Sequence, residues 1–308
     1  MSIKVRDIAF VRFQAPDLDS METFLVGFGL VRAQRTDTAL YMRATDDEGF
    51  VHVTHLGAEP AFVGLAFVAD SEVELDVLAA GSAFSAVVDL DGPGGGRVVR
   101  GTDPDGFQVE VVAGRASVGR LPVPGEPVRN NAAAHGRTGA PLRLEPGPAH
   151  VKRLGHCAIE VADYAASTAW YQQHLGLVTS DEMVIEGVPP LGAFVRCDRG
   201  EQYVDHHTMA LIGLGAAKFN HAAFEVAHFD DLMLGHTHLQ SGGYTHQFGI
   251  GRHILGSQIF DYWRDPYGHV VEHWTDGDLF NNETPPNVAG IEMLLGSQWG
   301  PTSGEPPH

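Results

Sequence analysis

The stretch Gly251–Trp274, GRHILGSQIFDYWRDPYGHVVEHW, carries an imidazole (His253), a phenol (Tyr262) and a carboxylate (Glu272). Two strand-like runs, Ile259–Trp263 and Val270–Trp274, flank Asp265-Pro266-Tyr267-Gly268. Pro and Gly in so short a gap are turn chemistry, so the spacing predicts a β-hairpin. Side chains alternate across a strand. Val270, Glu272 and Trp274 therefore share one face, and Phe260 shares a face of the partner strand with Tyr262. With His253 arriving from the lead-in, the three groups can converge, a set suited to a metal ion and an ionisable aromatic substrate.

Two upstream strands must position any further ligands. In Leu154–Val161 the positions Cys157, Ile159 and Val161 are apolar, so His156 points away from the face that packs on a helix. In Phe219–Val226 the apolar face is Ala222, Phe224 and Val226, and His221 again points the other way. Asp163 is expected to cap one helix, with Ala166, Ala169, Trp170 and Leu175 on its buried stripe. Asp230 or Asp231 is expected to cap a second, which holds Leu232, Gly235, His236 and Leu239 and stops at Gly242-Gly243. His236 and His238 on it are read as surface or satisfied side chains. If these modules curl into a half-open barrel, His156, His221 and Glu272 share its interior. Two imidazoles and a carboxylate on one face of an ion, with the other positions open, are the signature of non-haem Fe(II) oxygenases. Twelve histidines lie from His156 to His273, so spacing alone leaves the ligand set open.

The chain repeats itself. Asp103-Pro104-Asp105-Gly106 with Glu110 recurs as Asp265-Pro266-Tyr267-Gly268 with Glu272, and FVGLAFVA from Phe62 resembles FNHAAFEV from Phe219. Each half contains two such units, giving an α+β fold of four βαβββ modules in two half-open β-barrel domains. The first half has Phe10 for His156 and Gly64 for His221, and it keeps Glu110 alone as a solvated or paired surface group. Residues 1–115 are therefore expected to form a metal-free copy, with His52 and His55 structural. Residues 116–150, proline-rich from Pro122, read as a linker. Residues 151–280 form the catalytic, metal-binding domain and 281–308 a tail, whose Ile291–Leu295 run is expected to pack as plain extended chain.

A chain of 308 residues with 44% hydrophobic and 19% charged residues can bury a sizeable core. Its formal net charge of −19 argues against nucleic acid and anionic membrane surfaces as partners. Two cysteines, Cys157 and Cys197, give no disulfide framework. The N-terminus lacks the apolar segment of a secretory signal, and no run reaches the length of a membrane span. The expected location is cytoplasmic.

Residues 150–280 resemble, in order, the type I extradiol ring-cleavage dioxygenases of the vicinal oxygen chelate superfamily. The matching pieces are Leu154-Gly155-His156, Asp205-His206-His207-Thr208-Met209-Ala210-Leu211 and Phe219-Asn220-His221-Ala222-Ala223-Phe224. Gly251-Arg252-His253, Phe260-Asp261-Tyr262-Trp263-Arg264-Asp265-Pro266 and Glu272-His273-Trp274 complete the set. The resemblance implies the glyoxalase/bleomycin-resistance/extradiol dioxygenase fold. It implies His156, His221 and Glu272 as ligands of Fe(II), with Mn(II) used by some members. It implies His207 as the acid/base, and His253 and Tyr262 as partners of the substrate hydroxyls. Neighbours on a strand face opposite ways, so one of His206 and His207 should enter the pocket; the family spacing favours His207. His228, His246, His269 and His273 match no family ligand. The implied reaction joins dioxygen, the co-substrate, to a small aromatic diol and opens the ring beside the diol. Homo-oligomers are common in the family.

Two other readings belong to the same fold. A metal-dependent glyoxalase-like isomerase or lyase would add a carboxylate ligand and give no role to His207 or Tyr262. A non-enzymatic small-molecule binder would need no triad.

Overall fold

The computed structural model describes residues 2–301, so residues 302–308 of the expected tail lie outside the described residues. Each of four successive units runs strand, helix, then three strands. The first has strand Asp7–Ala15, helix Leu18–Phe28 and strands Val31–Arg35, Ala39–Arg43 and His52–Leu56. The second runs from strand Ala61–Val68 through helix Glu72–Ala79 to Gln108–Ala113. The third starts with strand Val151–Val161 and helix Tyr164–Leu175, and ends at Met209–Gly213. The fourth has strand Lys218–Val226, helix Phe229–Ser241 and strands His246–His253, Ile259–Arg264 and Val270–Thr275. An eight-stranded sheet holds the first pair of units and a ten-stranded sheet the second.

In the ten-stranded sheet, the first strand of each unit pairs parallel with that unit's last strand. Val151–Val161 takes Met209–Gly213, and Lys218–Val226 takes Val270–Thr275. The two first strands then pair antiparallel, which fuses the units into one curled surface. Strand parity follows the sequence. Cys157, Ile159, Val161, Ala222, Phe224 and Val226 enter the main apolar core, which also takes in residues of the first half such as Phe13, Phe24 and Phe28. The hairpin forms between Ile259–Arg264 and Val270–Thr275, in antiparallel register.

Helix ends follow local chemistry, with one correction. Asp163 caps its helix by accepting from Ala166 N. The next helix is capped by His228, whose Nδ1 accepts from Asp231 N; Asp230 and Asp231 lie in the first turn. Asp231 is taken by His150, whose backbone N donates to Oδ2 at 2.7 Å, and its carboxylate is thereby turned from the cap position.

Two further expectations are corrected. Ile291–Leu295 is a short helix, not extended chain. Its flanks Asn287–Gly290 and Ser297–Trp299 add edge strands to the sheet, and the apolar residues at 291, 294 and 295 have helical spacing. Glu110 is not at the surface: it is 1% exposed and ion-paired to Arg12 at 2.7 Å, with Arg12 Nη1 2.5 Å from His55 Nε2. In the first half the guanidinium supplies the positive charge that such a buried carboxylate requires. Among the described residues, no helix is long and apolar enough to cross a membrane.

Candidate metal centre

His156, His221 and Glu272 come from three adjacent strands of the ten-stranded sheet. Their donor atoms form a near-equilateral triangle: His156 Nε2 to His221 Nε2 3.2 Å, and each of these to Glu272 Oε2 3.3 Å. Donors about 2.1 Å from one ion, at right angles, would lie about 3.0 Å apart, so one cation fits against all three. Glu272 is fully buried, and neither carboxylate oxygen has a hydrogen-bond donor. Burial pushes its pKa up, yet the facing imidazoles of His156, His221 and His253 outweigh burial and hold it well below the usual carboxylate range. An ionised carboxylate left this way costs several kcal/mol unless a cation meets it.

A second cluster, His236, His246 and Asp261, gives the contrast. Asp261 Oδ2 accepts from His236 Nδ1 at 3.1 Å and from Trp263 Nε1 at 2.6 Å, and Oδ1 accepts from His246 Nε2 at 2.8 Å. That carboxylate is satisfied by protein donors alone. His236 is thus a satisfied side chain, as its helical position suggested.

The side chain of Asn220 orients His221. Asn220 Nδ2 donates to Glu160 Oε1 at 3.1 Å, which turns Oδ1 toward His221 Nδ1 at 2.8 Å. An amide oxygen only accepts, so Nδ1 carries a proton and Nε2 is the nitrogen turned to the triangle, free to ligate an ion there. Gly155, beside His156, leaves room for the Trp274 indole, which a Cβ there would strike.

The triangle opens on a cavity of 670 Å³. His253 and Tyr262 line it, with His253 Nε2 2.9 Å from Tyr262 Oη. Burial, and then the Glu272 charge, push the Tyr262 phenol well above its ordinary pKa, so it is a neutral hydroxyl. His207 also lines the cavity, its ring centroid 4.1 Å from that of His156. Burial above all, then the neighbouring His156 and His206, hold its pKa well below the imidazole norm.

His206 and His207 do not alternate across a strand. They sit in the bend between Val204–Asp205 and Met209–Gly213, with their Nδ1 atoms 3.0 Å apart. Of the two, only His207 reaches the cavity. Arg252 points elsewhere, donating to Ser257 O and Asp276 Oδ2. His269 pairs with Asp265, and His273 Nε2 lies 2.7 Å from Phe28 O.

The sequence alone did not assign several cavity residues. Phe62 and Phe107 reach in from the first half, and Met293, Leu294 and Leu295 from the short C-terminal helix. Phe62 stacks on Phe219 at 4.4 Å. Asn220 carried a signal, adjacency to His221; Phe62 and Phe107 carried none beyond the repeat.

Residues 153–273 match the family model of the Glyoxalase/Bleomycin resistance protein/Dioxygenase superfamily. The chain is 31% identical to Metapyrocatechase 2 of Cupriavidus necator, over 96% of this chain and 89% of that protein. It is 24% identical to 3-methylcatechol 2,3-dioxygenase of Pseudomonas putida, over 88% and 90%. Among solved structures, the Mn(II)-bound glyoxalase of Novosphingobium aromaticivorans superposes with a TM-score of 0.78 at 24% identity, covering 99% of this chain and 95% of that one. That likeness speaks to the fold.

Proposed function

We infer the activity from one premise: the chain belongs to the extradiol dioxygenases of the Glyoxalase/Bleomycin resistance protein/Dioxygenase superfamily. It is an extradiol ring-cleavage dioxygenase. It opens the ring of a catechol beside the vicinal diol, inserts both atoms of dioxygen and yields a ring-opened semialdehyde or keto acid. It uses a metal cofactor and dioxygen. The finer assignments, Fe(II) as the ion and the role of each residue, are our proposal, and so is the division into a metal-free domain (1–115), a linker (116–150) and a catalytic domain (151–280).

The observation that supports them best is the buried, donorless carboxylate of Glu272 facing two imidazole nitrogens at the floor of a large cavity. His156, His221 and Glu272 would hold the ion. Bound there, Fe(II) supplies a template on which an aromatic diol and dioxygen exchange electrons. The protein handles protons and placement. Tyr262 and His253, joined at 2.9 Å, present a hydroxyl and an imidazole to the diol, so one diol proton can be drawn off and the resulting anion held by a hydrogen bond. His207, kept neutral by burial, takes a proton at its free nitrogen and later returns it. Phe194, Phe248, Phe62 and Phe107 give the ring apolar walls and keep water out. The volume suits a substituted or bicyclic catechol.

The isomerase reading would need a further carboxylate ligand. Among the described residues the cluster around Glu272 holds three ligands, and the cavity carboxylate Glu160 is engaged by Asn220. The test is anaerobic Fe(II) reconstitution followed by a catechol panel, read by oxygen uptake and visible absorbance. Oxygen consumption with a yellow ring-opened product is expected. Retained iron with no uptake on any catechol would refute the reading.

A further inference from the structure

We propose that Asp181 and His206 are positioning residues that decide which nitrogen of His207 carries its proton. The idea rests on the role given to His207 above, but its geometry stands by itself. Asp181 is buried on the strand Leu177–Val184. Its Oδ1 accepts from Asn287 Nδ2 at 2.7 Å, and its Oδ2 lies 2.5 Å from His206 Nε2. A carboxylate only accepts, so His206 Nε2 carries a proton. With that one proton on the ring, His206 Nδ1 is the acceptor nitrogen. It meets His207 Nδ1 at 3.0 Å, and that contact is a hydrogen bond only if His207 Nδ1 is the donor. His207 Nε2 is thereby left unprotonated, the nitrogen available to the cavity.

Two features keep His206 in this state. Ser180 Oγ donates to the His206 carbonyl at 2.5 Å and accepts from Arg196 Nη1 at 2.8 Å, so the backbone is pinned. Against burial, hydrogen bonds from His206 and Asn287, with a smaller effect of the Arg196 guanidinium that four protein acceptors hold nearby, keep the Asp181 carboxyl below its usual range. The relay thus runs Asn287, Asp181, His206, His207, from an edge strand to the cavity.

Asp181→Asn tests the direction of the chain. The Asn287 amide still requires an oxygen, so the new side chain must turn its NH2 toward His206. His206 Nε2 then accepts, His206 Nδ1 donates, and the proton of His207 moves to Nε2. We expect kcat to fall about 10²- to 10⁴-fold, as when a buried carboxylate that sets a histidine tautomer is lost, with KM and metal content unchanged. His206→Asn keeps an amide near the Nδ1 position and should stay within about tenfold of the parent. His206→Gln keeps only the Nε2 side and should lose as much as Asp181→Asn. Imidazole ¹⁵N NMR of the metal-free protein, with His207 assigned by His207→Gln, reads the tautomer without turnover, and so separates failure of the relay from failure of the dioxygenase reading. Protonation at Nδ1 in the parent and at Nε2 in Asp181→Asn is expected. Protonation at Nε2 in the parent, an unchanged tautomer in Asp181→Asn, or equal kcat for the two His206 variants would overturn the proposal. If Asp181→Asn does not fold, the parent tautomer decides.

Discussion

Glu272 and His156 stand in one row of the sheet, separated only by Ala223, which pairs with both. Partners in register share a face, so the Ala223 methyl forms the floor between the two. His221, two residues along the same strand, shares that face. A larger side chain at 223 has nowhere to go but into the triangle. Ala223→Val is expected to cost about 1–3 kcal/mol of stability and to abolish stoichiometric metal binding, read by urea denaturation and elemental analysis. Full metal content in a folded variant would show that the row does not set the site.

Asn220 acts on the metal only through His221. Asn220→Ala removes the acceptor that holds the Nδ1 proton and orients the ring. Metal affinity should drop about 10- to 100-fold while the fold is retained, measured by competition with a chelator. An unchanged affinity would mean that packing alone orients His221.

Tyr262→Phe deletes one oxygen from the cavity wall and leaves the ring packed on Phe248, stacked at 4.7 Å. Iron content should match the parent, and kcat should fall about 10²- to 10⁴-fold. Steady-state oxygen uptake on the catechol that the parent turns over best is the measurement; a loss below tenfold would assign the proton step to His253 alone.

His52 gives a pH-dependent stability term of its own. It is 2% exposed, stacked on Phe13, and its pKa is lowered to about 3, chiefly by burial and secondarily by His269, against a raising effect of Asp265. The folded state keeps the ring neutral while the unfolded chain protonates near pH 6.5. This contribution is therefore complete above about pH 6.5 and is lost as pH falls toward 3, at about 1.4 kcal/mol per pH unit. His52→Phe should flatten the stability curve between those limits relative to the parent. Parallel curves would show that the ring is charged in the fold.

Much of this was legible in the chain. Alternation in Leu154–Val161, Phe219–Val226 and Val270–Trp274 fixed the faces of His156, His221 and Glu272, because a strand's side-chain period is local and needs no partner. The repeat of Asp-Pro-x-Gly with a following Glu disclosed the modular fold, and Asp163 its helix start. Beside them, the family resemblance put His207, His253 and Tyr262 into the proposed site. What the strands could not say is which distant groups meet: Arg12 with Glu110, Asp181 with His206, Phe62 with Phe219, the helix Ile291–Leu295 with the cavity. Those contacts depend on how far each sheet curls and where its edges are closed. Curl and closure come from the summed packing of the whole core, not from any one segment's pattern.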